Sequence, residues 1–195
     1  EIIKLYEQKL KDLEIAYHYK TVDTDFGKTN VIITGDSSKP PIMLIHGSNG
    51  CAPIALETYP NLSKDFHVFA IDVLAQPNKS AETRLSMKDN SYGLWINDII
   101  NQLHLKDVTL AGFSFGGLII LKTLIDNEKN IKEVFLSAPA FIVNGNPLIL
   151  LYKVFLPMKL YIKTQKTKYL ENFLKTLFTE PDAFALKYLA KVFIH

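Results

Sequence analysis

Gly112-Phe113-Ser114-Phe115-Gly116 lies between two apolar runs, Val108-Thr109-Leu110-Ala111 before it and Gly117-Leu118-Ile119-Ile120-Leu121 after it. An apolar run, a glycine-flanked serine and a second apolar run read as strand, sharp turn and helix. This is the setting in which G-x-S-x-G exposes a serine hydroxyl. A serine is a weak nucleophile until geometry exposes its oxygen and a base takes its proton. The turn supplies the exposure, and Gly112, Gly116 and Gly117 are small enough to permit a close approach. The helix that follows points its N-terminus at the serine, which favours a developing negative charge. Ser114 is therefore the candidate nucleophile.

Apolar runs and amphipathic stretches alternate on both sides of this point. Ile2, Leu5, Tyr6, Leu10 and Leu13 recur at helical spacing and predict an amphipathic helix over residues 2–14. Ile15–Val22 and Thr29–Thr34 read as strands, and the turn signals at 25–27 and 35–37 predict a hairpin. Ile42-Met43-Leu44-Ile45 is continuously apolar, as a parallel strand covered on both faces requires. A glycine-rich loop and a helix through about Lys64 follow. His67–Ile71 gives a further buried strand, ending at Asp72. After a polar loop over 76–91 come a helix carrying Leu94, Trp95, Ile99 and Leu103, the strand Val108–Ala111 and the helix Gly116–Asn127. Val134–Leu136 is the sixth strand. Strands alternating with helices mean an α/β fold with a mainly parallel sheet, made mixed by its leading hairpin. Beyond Ala138-Pro139 the alternation stops. Pro147–Leu156, Lys168–Phe178 and Ala183–Phe193 read as helices, with Pro157 and Pro181 as breaks.

Composition narrows the class. A chain of 195 residues with 48% apolar side chains builds one real core, with roughly 70% of its unfolded surface buried. The formal net charge of +2 points to no nucleic-acid partner. Residues 141–195 hold eight Lys against Glu171, Glu180 and Asp182, and this basic segment is expected to present a solvated outer face. Cys51 is the sole cysteine, so no intrachain disulfide forms. The start has no basic-then-apolar leader, and the stretch Leu148–Leu156 is too short to span a bilayer. These features predict a cytoplasmic protein without stable membrane insertion; they leave the oligomeric state open.

A second element stands at the end of the 42–45 strand, in His46-Gly47-Ser48-Asn49-Gly50. Acyl transfer passes through an oxyanion that two preorganised backbone N–H groups stabilise, each worth on the order of 3–4 kcal/mol. One donor is the residue after the nucleophile, Phe115; the other comes from this loop, Ser48 with Asn49 as the alternative. His46, at the strand end, reads as a structural histidine bonded to that loop rather than as a base.

The run of strands, the His-Gly-Ser-Asn loop and the Gly-Phe-Ser-Phe-Gly turn resemble the α/β-hydrolase fold superfamily over residues 1 to about 140. Phe69-Ala70-Ile71-Asp72 followed by Pro77-Asn78-Lys79-Ser80 is similar to bacterial carboxylesterases of the naproxen-esterase type. The resemblance implies an α/β-hydrolase core over 1–140, with helices on both faces of the sheet, and a helical cap over 141–195. It implies hydrolysis of a small-molecule ester through an acyl-serine, without metal or organic cofactor. It also implies an acid after the seventh strand, sometimes the sixth, and a histidine after the eighth. Neither is recognisable here, because Ser137-Ala138-Pro139-Ala140 after the sixth strand holds no acid and His195 reads as a chain end. Truncation before the last two strands is therefore expected. The alternative is a catalytically dead hydrolase-fold protein that binds a small ligand.

Overall fold

The computed structural model describes residues 1–140, 142, 146–177 and 183–194. His195, weighed above as a base, lies outside the described residues, as do Phe178 and Pro181. The chain forms two compact units, one of Tyr6–Phe141 and one of Glu1–Leu5 with Ile142–His195.

The larger unit begins in helix α1 (Ile2–Asp12), whose Tyr6 and Leu10 are fully buried. The strands β1 (Tyr17–Thr24) and β2 (Gly27–Thr34) form the expected antiparallel hairpin, Thr24 pairing with Gly27. Four strands follow, β3 (Pro41–Ile45), β4 (His67–Ile71), β5 (Val108–Phe113) and β6 (Ile131–Ser137). The sheet runs β1-β2-β4-β3-β5-β6, antiparallel from β1 to β4 and parallel from β4 to β6. β6 pairs with β5 alone among the described strands, and its Phe135 is exposed.

Helices α2 (Ala52–Thr58), α3 (Ser91–Gln102) and α4 (Phe115–Asp126) make the crossovers. From β3 the chain moves outward to β4, then returns across β3 to β5 and on to β6. Right-handed connections taken in opposite directions put α2 on one face of the sheet and α3 and α4 on the other. The α3–α4 face buries Trp95, Ile96, Ile99, Ile119 and Ile120 against Met43, Ile45, Phe69 and Leu110. Fully burying one such side chain is worth about 1.5–3 kcal/mol. The reversal of strand order falls between β3 and β5, and crevices in sheets of this kind open at the carboxyl ends there.

Besides shifts of two or three residues at several ends, two differences from the sequence expectation involve prolines. Helix α2 stops at Thr58 rather than near Lys64, because Tyr59 precedes Pro60 and is held out of the helical region at φ −120°, ψ 71°. Asn61 then enters a left-handed conformation and starts a separate 3-10 turn, Leu62–Lys64. Pro157, expected as a break, lies inside a continuous helix made of α5 (Pro147–Leu150), a π-helical stretch (Leu151–Phe155) and α6 (Leu156–Thr164). Proline cannot donate to the Lys153 carbonyl four residues back. The Thr176 hydroxyl, from α7 (Thr167–Leu177), donates to the Asn172 carbonyl at 3.1 Å and also lies 3.4 Å from the Lys153 carbonyl. In this smaller unit Tyr161, Leu170, Phe173 and Leu174 form a buried cluster beside α8 (Ala183–Val192). Leu148, Tyr152 and Phe155 of this unit stay exposed. No described helix is long and apolar enough to cross a membrane.

Candidate active site

β5 delivers the chain to Ser114 in one step. Ser114 has φ 51° and ψ −116°, and Phe115 begins α4. A positive φ on a non-glycine residue costs on the order of 1–3 kcal/mol and persists where the surroundings over-determine it. Three backbone hydrogen bonds do so here. The Ser114 N–H donates to the Ser137 carbonyl of β6 at 3.0 Å, and the Ser114 carbonyl accepts from Ala140 at 2.9 Å and Leu118 at 3.3 Å. The hydroxyl-bearing residue stands half-buried ahead of the helix N-terminus. The Phe115 amide belongs to the first turn, whose N–H groups have no intrahelical acceptor. Its ring is buried edge-on to Tyr92, 5.2 Å between centroids.

The loop after β3 lies beside this turn because Ile45 pairs with Gly112. The fit is tight at two glycines. A Cβ on Gly116 would stand 2.1 Å from the Ile45 carbonyl oxygen, and one on Gly47 would stand 2.8 Å from the Phe113 ring. Residues 47–50 form a turn closed by the Gly50 N–H on the Gly47 carbonyl at 3.1 Å, with Asn49 at φ 58°. The two loop donors left open by the sequence then differ. The Asn49 N–H donates to the Gln76 side-chain carbonyl at 2.7 Å. The amide of Ser48, an exposed residue, has no hydrogen-bond acceptor among the described residues.

His46 is fully buried, and its ring is occupied on both nitrogens. Nε2 accepts from the Val73 N–H at 3.0 Å, which places the proton on Nδ1, 2.7 Å from the Gly47 carbonyl oxygen. Burial lowers its pKa to about 4, so the ring is neutral near pH 7. It braces the loop, as the sequence suggested. Among the described residues no histidine or carboxylate hydrogen-bonds the Ser114 hydroxyl, and no group of three metal-ligating side chains forms.

Sequence reasoning missed the polar cluster beneath the loop. Asp72, at the end of β4, is fully buried; its Oδ1 accepts from the Ala52 N–H at 2.7 Å, at the first residue of α2. Its Oδ2 accepts from Asn30 Nδ2 at 2.8 Å and from the Tyr6 hydroxyl at 2.9 Å. Burial pushes the carboxyl up, against the pull of these bonds. Asn30 and Tyr6 sat inside apolar patterns, and that was their signal: each is a polar group that a buried position obliges to find a partner. Gln76 gave no signal, since it stands in a loop of polar residues.

The comparisons agree with this geometry. The family model described as the alpha/beta hydrolase fold matches residues 40–178. Carboxylesterase YbfK of Bacillus subtilis is 30% identical over 138 residues, covering 69% of this chain and 46% of the relative. A second Bacillus subtilis protein, named uncharacterized carboxylesterase nap, is 29% identical over 122 residues, 61% of this chain and 40% of its own. The chain thus spans less than half the length of these curated relatives. The crystal structure of naproxen esterase (carboxylesterase NP) from Bacillus subtilis superposes with a TM-score of 0.83 at 21% identity, over 100% of this chain and 67% of that one. That of carboxylesterase CesB (YbfK) gives 0.77 at 22% identity, over 98% and 66%. With the strand order, the serine turn and the adjoining glycine loop in place, the chain belongs to the α/β-hydrolase fold family.

Proposed function

We propose that the chain carries the nucleophile and oxyanion hole of a carboxylesterase-type serine hydrolase acting on a small ester. One observation carries the reading: Ser114 is held at φ 51° between β5 and α4, with the Ser48 loop packed against Phe113. In the reaction, Ser114 Oγ adds to the ester carbonyl carbon while its proton passes to a base. The carbonyl oxygen becomes an oxyanion facing the Phe115 and Ser48 amides. Collapse expels the alcohol, which takes up the proton, and leaves an acyl-serine that water hydrolyses by the same route. The α4 N-terminus adds a favourable partial positive charge. The family resemblance implies that the acid follows a seventh strand, or sometimes the sixth, and the histidine an eighth, and the relatives named carboxylesterase support the ester as substrate class. Residues 141–195 are assigned to a helical cap and 1–140 to the core on the same basis.

Labelling with a fluorophosphonate probe tests the assignment. Adduct on Ser114 in the parent and none in Ser114→Ala is the expected result. Adduct that survives Ser114→Ala refutes it. The alternative is a ligand-binding protein without catalysis, and a folded full-length protein that takes no label favours it.

A further inference from the structure

Residues 147–164 form one continuous helix through α5, the π-helical stretch and α6. One side of it packs within the smaller unit, where buried Tyr161 joins Leu170, Phe173 and Leu174, with half-buried Val154 against them. The other side is apolar and open. Leu148, Leu151, Tyr152, Phe155 and Ile162 are 63%, 49%, 65%, 54% and 49% exposed. They follow one another at spacings of three, four and seven residues, so they line one stripe of the helix, about 20 Å long. An apolar patch left open on a folded protein marks a surface that meets another apolar phase.

Charge decides what that phase is. Lys159 stands one turn beyond Phe155 and Lys163 one turn beyond Lys159, so both lie within the stripe; Lys153 shares the helix, and Lys166 and Lys168 follow it, all five exposed. No Asp or Glu occurs from residue 142 to residue 170. None of the five lysines is in a salt bridge among the described residues. A second copy of the chain would meet the stripe with the same lysines and no acid beside them, and facing like charges disfavour that pairing. An anionic lipid surface suits both features at once. We propose that the helix 147–164 docks the protein on the surface of an anionic bilayer. Leu148, Leu151, Phe155 and Ile162 enter the boundary between headgroups and acyl chains, and the lysine stems lie along it with their ammonium groups among the phosphates. Tyr152, with an apolar ring and a polar tip, fits the same depth. No described helix is long and apolar enough to cross a bilayer, so this one lies in the plane of the surface. The contact is reversible and weakens with salt, which screens the lysines.

Co-sedimentation of the intact protein with vesicles tests this without any turnover. At about 0.1 M salt, phosphatidylglycerol vesicles are expected to bind it at least about tenfold more tightly than phosphatidylcholine vesicles, and about 1 M salt is expected to remove the difference. Lys159→Gln with Lys163→Gln, and separately Leu148→Ser with Phe155→Ser, are each expected to weaken binding about tenfold. All four residues are exposed, so the urea midpoints stay at the parent value. Lys20→Gln with Lys132→Gln, two exposed lysines of the larger unit, is expected to bind as the parent does. In Phe155→Trp, phosphatidylglycerol with brominated acyl chains is expected to quench the added emission and to leave that of buried Trp95 unchanged. Equal binding to the two lipids, or an equal loss in the Lys20 and Lys132 pair, overturns the proposal. So does binding without quenching at residue 155. Emission from residue 155 that is already that of a buried indole and ignores vesicles shows the stripe covered by the protein itself, and a dimer that Phe155→Ser dissolves shows it covered by a second copy; either result also overturns it.

Discussion

Replacing Asp72 by alanine tests the claim that a buried carboxylate organises the larger unit. Its strong donors are the Ala52 N–H at 2.7 Å, Asn30 Nδ2 at 2.8 Å and the Tyr6 hydroxyl at 2.9 Å. In Asp72→Ala the Asn30 amide keeps a partner, because it also donates to the Tyr6 oxygen at 3.1 Å. The Ala52 N–H and the Tyr6 O–H are left without an acceptor. Each buried orphan costs about 1–3 kcal/mol, so together about 2–6 kcal/mol. Relief of a buried charge offsets part of this, since burial disfavours the ionised carboxylate here. The expected loss is about 3 kcal/mol, a large fraction of the roughly 5–15 kcal/mol of a typical domain. At this chain length each kcal/mol moves Tm by about 2–4 °C, so the midpoint falls by about 6–12 °C. Tyr6→Phe alone removes one donor and leaves the carboxylate Ala52 N–H, Asn30 Nδ2 and the longer bond from Lys79 N–H, for a loss of about 1 kcal/mol. The double variant is then less unstable than the sum, because no tyrosine hydroxyl remains to be orphaned; the coupling is about 1–2 kcal/mol. Urea unfolding followed by circular dichroism measures all three variants. A loss under about 0.5 kcal/mol for Asp72→Ala, or strict additivity in the double variant, refutes the reasoning.

Two further outcomes follow from the site. The folded pKa of His46, about 4, lies below the ordinary 6.5, so its contribution is complete above pH 6.5 and disappears as pH falls toward 4. The loss is about 3 kcal/mol. The raised Asp72 carboxyl works in the opposite sense and is present in parent and variant alike, so comparison with His46→Gln isolates the histidine. Unfolding free energies at pH 7 and 4.5 that fall equally in both proteins would contradict this. At Ser114, positive φ penalises alanine by about 1–3 kcal/mol, while glycine carries a backbone entropy cost of about 0.5–1 kcal/mol. Ser114→Gly should therefore be more stable than Ser114→Ala by about 1 kcal/mol in urea titration, and the reverse order would show that the turn is unstrained.

Local pattern carried much of the architecture because it reflects local physics. Continuous apolarity at 42–45, 67–71 and 108–111 marks strands covered on both faces, and all three are strands of the parallel part of the sheet. Boundaries at prolines were less legible. Pro60 ended a helix through the residue before it, whereas Pro157 lies in the first turn of α6, after a π-helical stretch that carries the helix through.

The site divides along the same line. The sequence alone determined that Ser114 sits on a strand-to-helix turn and that a glycine loop ends an earlier strand, since both follow from residue type and spacing over a few positions. Only the tertiary structure decided that these ends lie side by side, through the β3–β5 pairing and the reversal of strand order. It alone distinguished the two loop amides, through a glutamine twenty-seven residues from Asn49. It alone joined Tyr6, Asn30 and Asp72. Those choices rest on hydrogen bonds between segments far apart in the chain, and the geometry that permits them exists only once the sheet has assembled.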